Sequence, residues 1–262
     1  MIAAIARAGL LAVAITTGCA PTVVLPGPPT TAPDFGASTL RTADGVALPV
    51  RSWRPDDGAA KAVVIALHGF NDYGNFFAEP AAFLAARGIA SYAYDQRGFG
   101  AAPHAGLWAG VPALVDDLKT AARLVRARHP GVPVYLLGAS MGGAVIMVAM
   151  ASDAAPDVDG VILSAPAVWA RHTMPVYQRA ALWFGAHTAP WMRLTGRGLN
   201  IRASDNDDML RQLGRDPLVI KGARIDALYG LTNLMDAAFA AAHHIQAPTL
   251  ILYGAGEQLI PQ

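Results

Sequence analysis

The stretch YLLGASMGGAVIMVAM carries a serine whose neighbours suit attack on a carbonyl. Gly138-Ala139-Ser140-Met141-Gly142 fits G-x-S-x-G, with an apolar β-rich run before it and a helix-forming run after it. A serine that must present its Oγ above a sheet sits on a tight strand-to-helix turn. The positions two before and two after it must lack side chains. The helix N-terminus behind Ser140 favours negative charge developing there. A second stretch, AVVIALHGFND, ends a strand in His68-Gly69-Phe70-Asn71-Asp72. A loop at that strand end can aim the Phe70 N–H at the point faced by the Met141 N–H, and two such donors form an oxyanion hole for a tetrahedral intermediate. Phe70 and Met141 would act through backbone amides. The plainer reading of Ser140, a helix N-cap among packing glycines, stays open at this point. His68, at a strand end before a glycine, orients the loop by hydrogen bonding rather than serving as base.

These residues need a frame, and the chain spells one out. STLRTADGVALPVRSWRP reads as a hairpin turning at Asp44-Gly45. AVVIALHG, IASYAYD, VPVYLLG, DGVILSA and PTLILYG read as buried strands, without the polar alternation of a half-exposed sheet. Between them lie helices over Phe76–Arg87, stopped at Gly88, over Val111–His129, stopped before Pro130-Gly131, and over Ser140–Ser152. Strand–helix alternation predicts an α/β doubly wound, mostly parallel sheet. Residues 166–245 break it with helical pieces and no obvious buried strand, which predicts a helical cap inserted before the last strand. The cap stretch MPVYQRAALWFGAHTAPWMRL is rich in large apolar residues. Leu182, Trp183, Phe184, Trp191 and Met192 would put apolar bulk over Ser140 as an acyl-chain pocket or lipid-facing rim; alternatively they pack the cap onto the sheet. Arg171, Arg179 and Arg193 could meet anionic head groups.

HGFNDYGNF, YDQRGFG, GASMGG and PTLILYGAGEQLIP, in that order, resemble the α/β-hydrolase superfamily. They are most similar to its monoacylglycerol lipase, lysophospholipase and serine aminopeptidase-like branch, from about Thr39 to Pro261. The cap stretch SDNDDMLRQLGRDPLVIKGARIDALYGLTNLMDAA looks like that branch too. The resemblance implies a structural role for Asp95 and Arg97 of YDQRGFG. It implies a triad in the order serine, acid, histidine, with the acid in a pattern like Y-G-x-x-D-x-x-x-P. Here Glu257 stands where the family usually has Asp. A glutamate can hold the imidazole tautomer equally, although its extra methylene shifts the carboxylate. The family's histidine follows one further strand, which places it beyond Gln262, together with the expected last strand and helix. His243 and His244 precede the acid strand; His104, His129, His172 and His187 lie in loops or cap. The implied activity is a serine hydrolase cleaving a single-chain lipid ester such as a monoacylglycerol or lysophospholipid, without metal or organic cofactor. The alternatives are a peptidase or amidase on the same fold, or a catalytically inactive membrane-tethered binding protein or inactive fragment.

Composition and the chain's beginning complete the expectation. Over 262 residues, 53% are hydrophobic and 15% charged, with a net charge of +1. That supports a sizeable core and argues against disorder, and scattered cations argue against nucleic-acid binding. MIAAIARAGLLAVAITTGCA has one early cation, then an apolar run too short to span a bilayer, then small residues. Thr16-Thr17-Gly18-Cys19 resembles a bacterial lipobox, which implies lipidation of Cys19, the chain's sole cysteine. The expected organisation is a signal peptide over 1–18, a Pro-rich tether over 19–38, hydrolase core over 39–165, cap over 166–245 and core again over 246–262. The expected location is the bacterial cell envelope, anchored on the periplasmic side, or else soluble in the periplasm or secreted.

Overall fold

Apolar runs without alternation become the middle of one sheet. The computed structural model describes residues 20–56, 58–196, 204–258 and 260, so Cys19 and the leader expected over 1–18 lie outside the described residues. In chain order the elements are β1 (Asp34–Phe35), β2 (Thr39–Arg41), β3 (Ala47–Trp53), β4 (Ala62–Leu67), α1 (Ala78–Ala85), β5 (Ile89–Tyr94), α2 (Val111–Arg128), β6 (Val134–Ala139), α3 (Met141–Met150), β7 (Gly160–Ser164), α4 (Val176–Thr188), β8 (Arg193–Leu194), α5 (Asp207–Arg215), β9 (Ala223–Arg224), α6 (Ile225–Ala241) and β10 (Thr249–Leu252). Eight strands form the main sheet in the order β1-β2-β3-β5-β4-β6-β7-β10. The first three are antiparallel additions, and β5 through β10 run parallel. This is the α/β-hydrolase arrangement expected from the sequence.

Register explains why the site gathers at one edge. Ala139 pairs with Ser164, and Ser164 pairs with Leu252, so β6, β7 and β10 end side by side. The turns leaving β6 and β10 are therefore two strand spacings apart, about 10 Å. Helix α3 is apolar on all sides because it is covered on all sides: it lies over β6 and is flanked by α2 and α6. Val145, Ile146 and Ala149 are fully buried with Leu118 and Leu234 in the same core.

Two expectations need correction. The segment read as a free Pro-rich tether over 19–38 lies along the domain where it is described. Val23 bridges to Trp108, Val24 N–H donates to Trp108 O at 2.8 Å, Thr30 N–H donates to Ala43 O at 2.7 Å, and β1 adds Phe35 to the core. Prolines have no N–H to satisfy, so a few bonds suffice to lay such a segment on a surface. The cap read over 166–245 is too long: α6 buries Leu234, Met235 and Ala238 in the main core, so it belongs to the layer over the sheet as much as to the cap. What remains of the cap holds α4, α5 and a two-stranded ribbon of β8 with β9. PTLILYG has the composition of a buried strand but stands at the sheet edge, as expected where the family's last strand is not beside it, with Leu250, Ile251 and Leu252 each roughly half open to solvent. An apolar run reports a preference for burial on both faces, not that both faces are covered.

Candidate active site

Ser140 sits at φ 50 and ψ −114, a left-handed backbone that an L-residue adopts only when its surroundings impose it. Those surroundings are packed glycines. A β-carbon on Gly142 would sit 2.6 Å from the carbonyl carbon of Leu67, at the end of β4. One on Gly138 would sit 2.5 Å from Gly143 N. The helix thus starts pressed against the neighbouring strand, and the turn has one way to close. Ser140 N–H donates to Ser164 O at 2.9 Å, and its carbonyl accepts from Ala144 and Ala167 at 3.2 and 3.0 Å. Its side chain makes no cap hydrogen bond and is half-buried. Met141, fully buried, opens α3, and as a first-turn residue its N–H has no intrahelical partner.

The loop after β4 faces this turn. Gly69 stands against the serine: a β-carbon there would be 3.5 Å from Ser140 Cβ. Phe70 follows, half-buried, its ring edge-on to Phe99 at 5.5 Å. His68 is fully buried. Its Nε2 accepts the Gln96 N–H at 2.9 Å, which fixes the proton on Nδ1 and lets Nδ1 donate to Gly69 O at 2.8 Å. The Gln96 amide donates back to His68 O at 3.0 Å. Burial pushes this imidazole down to about 4, so it is neutral at physiological pH with both nitrogens engaged. It anchors the loop and is not a base. Three residues that the sequence analysis did not single out frame the same loop. Asn71 is in left-handed backbone at φ 66, the Tyr73 hydroxyl donates to Asp216, and Gly74 N–H donates to Asp95. Asparagine tolerates that conformation better than most residues, which was the one local signal available.

Asp95 and Arg97 do brace, each toward different partners. Asp95 is fully buried and accepts from Gly74 N–H, Ala101 N–H and Arg51 at 2.9, 2.9 and 2.6 Å. Arg97 reaches Asp44 and Asp117, both at 2.7 Å, and thereby ties the β2–β3 turn to α2. The Arg97 guanidinium holds the Asp44 carboxyl well below the usual carboxylate range.

Glu257 lies half-buried in the turn after β10. Its N–H donates to Gly254 O at 3.2 Å, and its carboxylate accepts the Ile260 N–H at 3.2 Å. Burial, and then the nearby Glu257 carboxylate, pushes the Tyr253 hydroxyl up. The structure places Ser140, Phe70, Met141 and Glu257 at one edge of the sheet. No histidine among the described residues hydrogen-bonds to Ser140. His129 pairs with Tyr92, His172 lies against the Phe239 ring, and His187 stacks on Trp183. His243 and His244 form a short turn before β10, and His104 lies in a tight turn at φ 62.

Of the readings the sequence leaves open for the cap aromatics, their exposure is that of a rim rather than of a closed pocket or of residues packed onto the sheet. Trp183, Phe184, Trp191 and Met192 are 51–63% exposed, and Leu182 is half-buried. Of the three arginines, Arg171 is committed to Asp236 and Asn233, Arg193 reaches Gly222 O at 3.4 Å, and Arg179 is exposed. Among the described residues no helix is long and apolar enough to cross a membrane.

Comparison with known proteins gives this geometry a setting. The family model described as serine aminopeptidase, S33, matches residues 58–262. A monoacylglycerol lipase of Mycolicibacterium smegmatis is 28% identical over 233 residues, 83% of this chain and 77% of that protein. A human monoglyceride lipase is 27% identical over 235 residues, 84% of this chain and 73% of that protein. A soluble variant of the Saccharomyces cerevisiae monoglyceride lipase, solved with a substrate analogue, superposes with a TM-score of 0.66 at 20% identity, covering 90% of this chain and 80% of that one. The last likeness speaks to the fold.

Proposed function

For a chain that belongs to the serine aminopeptidase S33 family of α/β-hydrolases, we propose a serine esterase that works through an acyl-enzyme. Ser140 Oγ attacks the ester carbonyl carbon as an imidazole takes its proton. The N–H groups of Phe70 and Met141 hold the oxyanion. The imidazolium returns the proton to the leaving alcohol. Water, deprotonated by the same imidazole, then cleaves the acyl-enzyme and releases the acid. Glu257 orients the imidazole. The base is assigned to none of the seven histidines of this chain: the rings of His68, His129, His172 and His187 have other partners, and no hydrogen bond joins His104, His243 or His244 to Ser140. The observation that carries the reading is Ser140 at φ 50 with no cap hydrogen bond. A serine serving only as an N-cap would bond its helix from ordinary extended backbone.

Relatives named for monoacylglycerol and monoglyceride support a monoacylglycerol as substrate within the class of single-chain lipid esters, which also includes lysophospholipids. The same reading anchors the protein through lipidated Cys19 in the bacterial envelope, and Cys19→Ala should abolish incorporation of a palmitate analogue. A fluorophosphonate probe tests the nucleophile in the natively expressed protein. Wild type should label and Ser140→Ala should not; equal labelling would remove the assignment. Cleavage of aminoacyl amides but not of esters would favour a peptidase, and binding without turnover a tethered receptor.

A further inference from the structure

We infer that the cap segment Asp216–Lys221 clasps the oxyanion loop, making Tyr73 and Asp216 positioning residues for the Phe70 amide; this rests on the reading of Phe70 given above. The loop 69–74 needs outside support. Its one internal backbone bond is long, Asp72 N–H to Gly69 O at 3.3 Å, and Asn71 holds a left-handed conformation. Such backbone persists where the surroundings over-determine it. One end of the loop is tied to the sheet, through Gly74 N–H to Asp95. The apex is tied to the cap instead. Ile220 N–H donates to Asn71 O at 2.9 Å, and the Tyr73 hydroxyl donates to Asp216 Oδ2 at 2.6 Å.

The cap side of the clasp is itself rigid. Asp216 closes α5, and its other carboxylate oxygen accepts the Leu218 N–H at 2.9 Å. The Lys221 ammonium donates to the carbonyls of Asp216 and Val219, at 2.7 and 3.0 Å, and to that of Leu213. The core side is rigid too: Tyr73 is buried, with the Arg51 guanidinium 4.7 Å over its ring, and Arg51 is paired to Asp95. A hydroxyl-to-carboxylate distance of 2.6 Å is that of a charge-assisted bond. Burial and then the Asp216 bond push the Tyr73 hydroxyl up to about 12, while Tyr73 holds the Asp216 carboxyl down, so donor and acceptor keep their roles across neutral pH.

The consequence is directional. A cap that lifts from the core at this edge must break both bonds and release Asn71 from its strained backbone. Substrate that holds the cap down holds the Phe70 N–H in place, so cap position and oxyanion geometry are one variable.

Amide hydrogen exchange on the 262-residue chain tests the clasp without any turnover. In Tyr73→Phe and in Asp216→Asn, amides of residues 70–74 should exchange at least ten times faster, while those of β6 and α3 keep wild-type protection. Exchange at 70–74 within two-fold of wild type in both variants overturns the inference. In the natively expressed protein the same variants should lower ester kcat about ten-fold with KM within two-fold. The double variant should be no worse than either single one, and Asp216→Glu should recover part of the rate. A KM effect alone would make the pair a substrate contact and overturn the positioning role. If wild type turns over no ester, the reading of Phe70 and Ser140 falls, and the exchange result still decides whether the clasp exists.

Discussion

The turn that carries Ser140 and the turn that carries Glu257 end strands of the same sheet with a single strand between them, yet they are held in opposite ways. The first is built by packing. Its glycines at 138 and 142 are filled to contact by the neighbouring backbone, and its helix is buried on every side. The second is built by hydrogen bonds in the open. Among the described residues nothing packs where a β-carbon at Gly254 or Gly256 would sit, and the strand before the turn is exposed. A nucleophile needs a fixed strained backbone, which only dense packing can impose. An acid that acts through an imidazole needs a carboxylate in reach, and a turn that tolerates adjustment can accept Glu for Asp.

If that difference is real, chemistry and stability should separate at the two turns. The largest effect is on turnover. Glu257→Gln keeps the shape and removes the charge that would stabilise an imidazolium, so ester turnover of the natively expressed protein should fall on the order of 10³–10⁴-fold. Because Glu257 lies in a half-buried turn, the unfolding free energy should move by no more than about 0.5 kcal/mol. Retained turnover would mean that another group orients the base. A large loss of stability would mean that the turn is a structural keystone after all.

Gly142→Ala should do the reverse. A β-carbon there collides with Leu67 backbone, which cannot rotate away. The expected cost is about 3 kcal/mol or more, above the usual range for overpacking because the obstacle is main chain. Urea unfolding reads it directly, and a loss below about 1 kcal/mol would show that the elbow can relax.

The same contrast explains what could be read from the sequence. The strands, the elbow and the anchoring role of His68 rest on local patterns: apolar runs, two glycines flanking a serine, a histidine before a glycine. The fold and the places of Ser140 and Met141 followed. The Arg97 bridge to Asp44 and Asp117, and the Tyr73 bond to Asp216, join residues far apart in the chain. Nothing in the neighbourhood of either partner names the other. For β10 and for the cap aromatics the residue types state only a preference for burial, and coverage is settled by what else packs there. The tether was misjudged for the converse reason: proline-rich chain can lie on a surface with few bonds.

His68 sharpens the packed side through pH. Its folded value is about 4, depressed from 6.5 mainly by burial. Protonation therefore favours the unfolded chain. The contribution is intact above pH 6.5 and is lost as pH falls toward 4, by about 3 kcal/mol in all. The wild type should lose stability over that window more steeply than His68→Asn, which keeps a donor near the Nδ1 position and cannot titrate. Parallel pH curves for the two proteins would show that His68 is not held neutral by its surroundings.

The smallest effect is the most discriminating. A β-carbon at Gly256 meets open space, and the residue does not occupy left-handed backbone. Gly256→Ala should leave the fold intact and raise stability by about 0.5 kcal/mol, since alanine restricts the unfolded chain more than glycine does. The same alanine that is ruinous at Gly142 would then be mildly helpful two strands away in the same sheet. A loss of more than about 1 kcal/mol at Gly256 would mean that the acid turn is also set by close packing. The tolerance invoked for Glu in place of Asp would then lose its physical basis, and the exposed turn would have to be as exacting as the buried one.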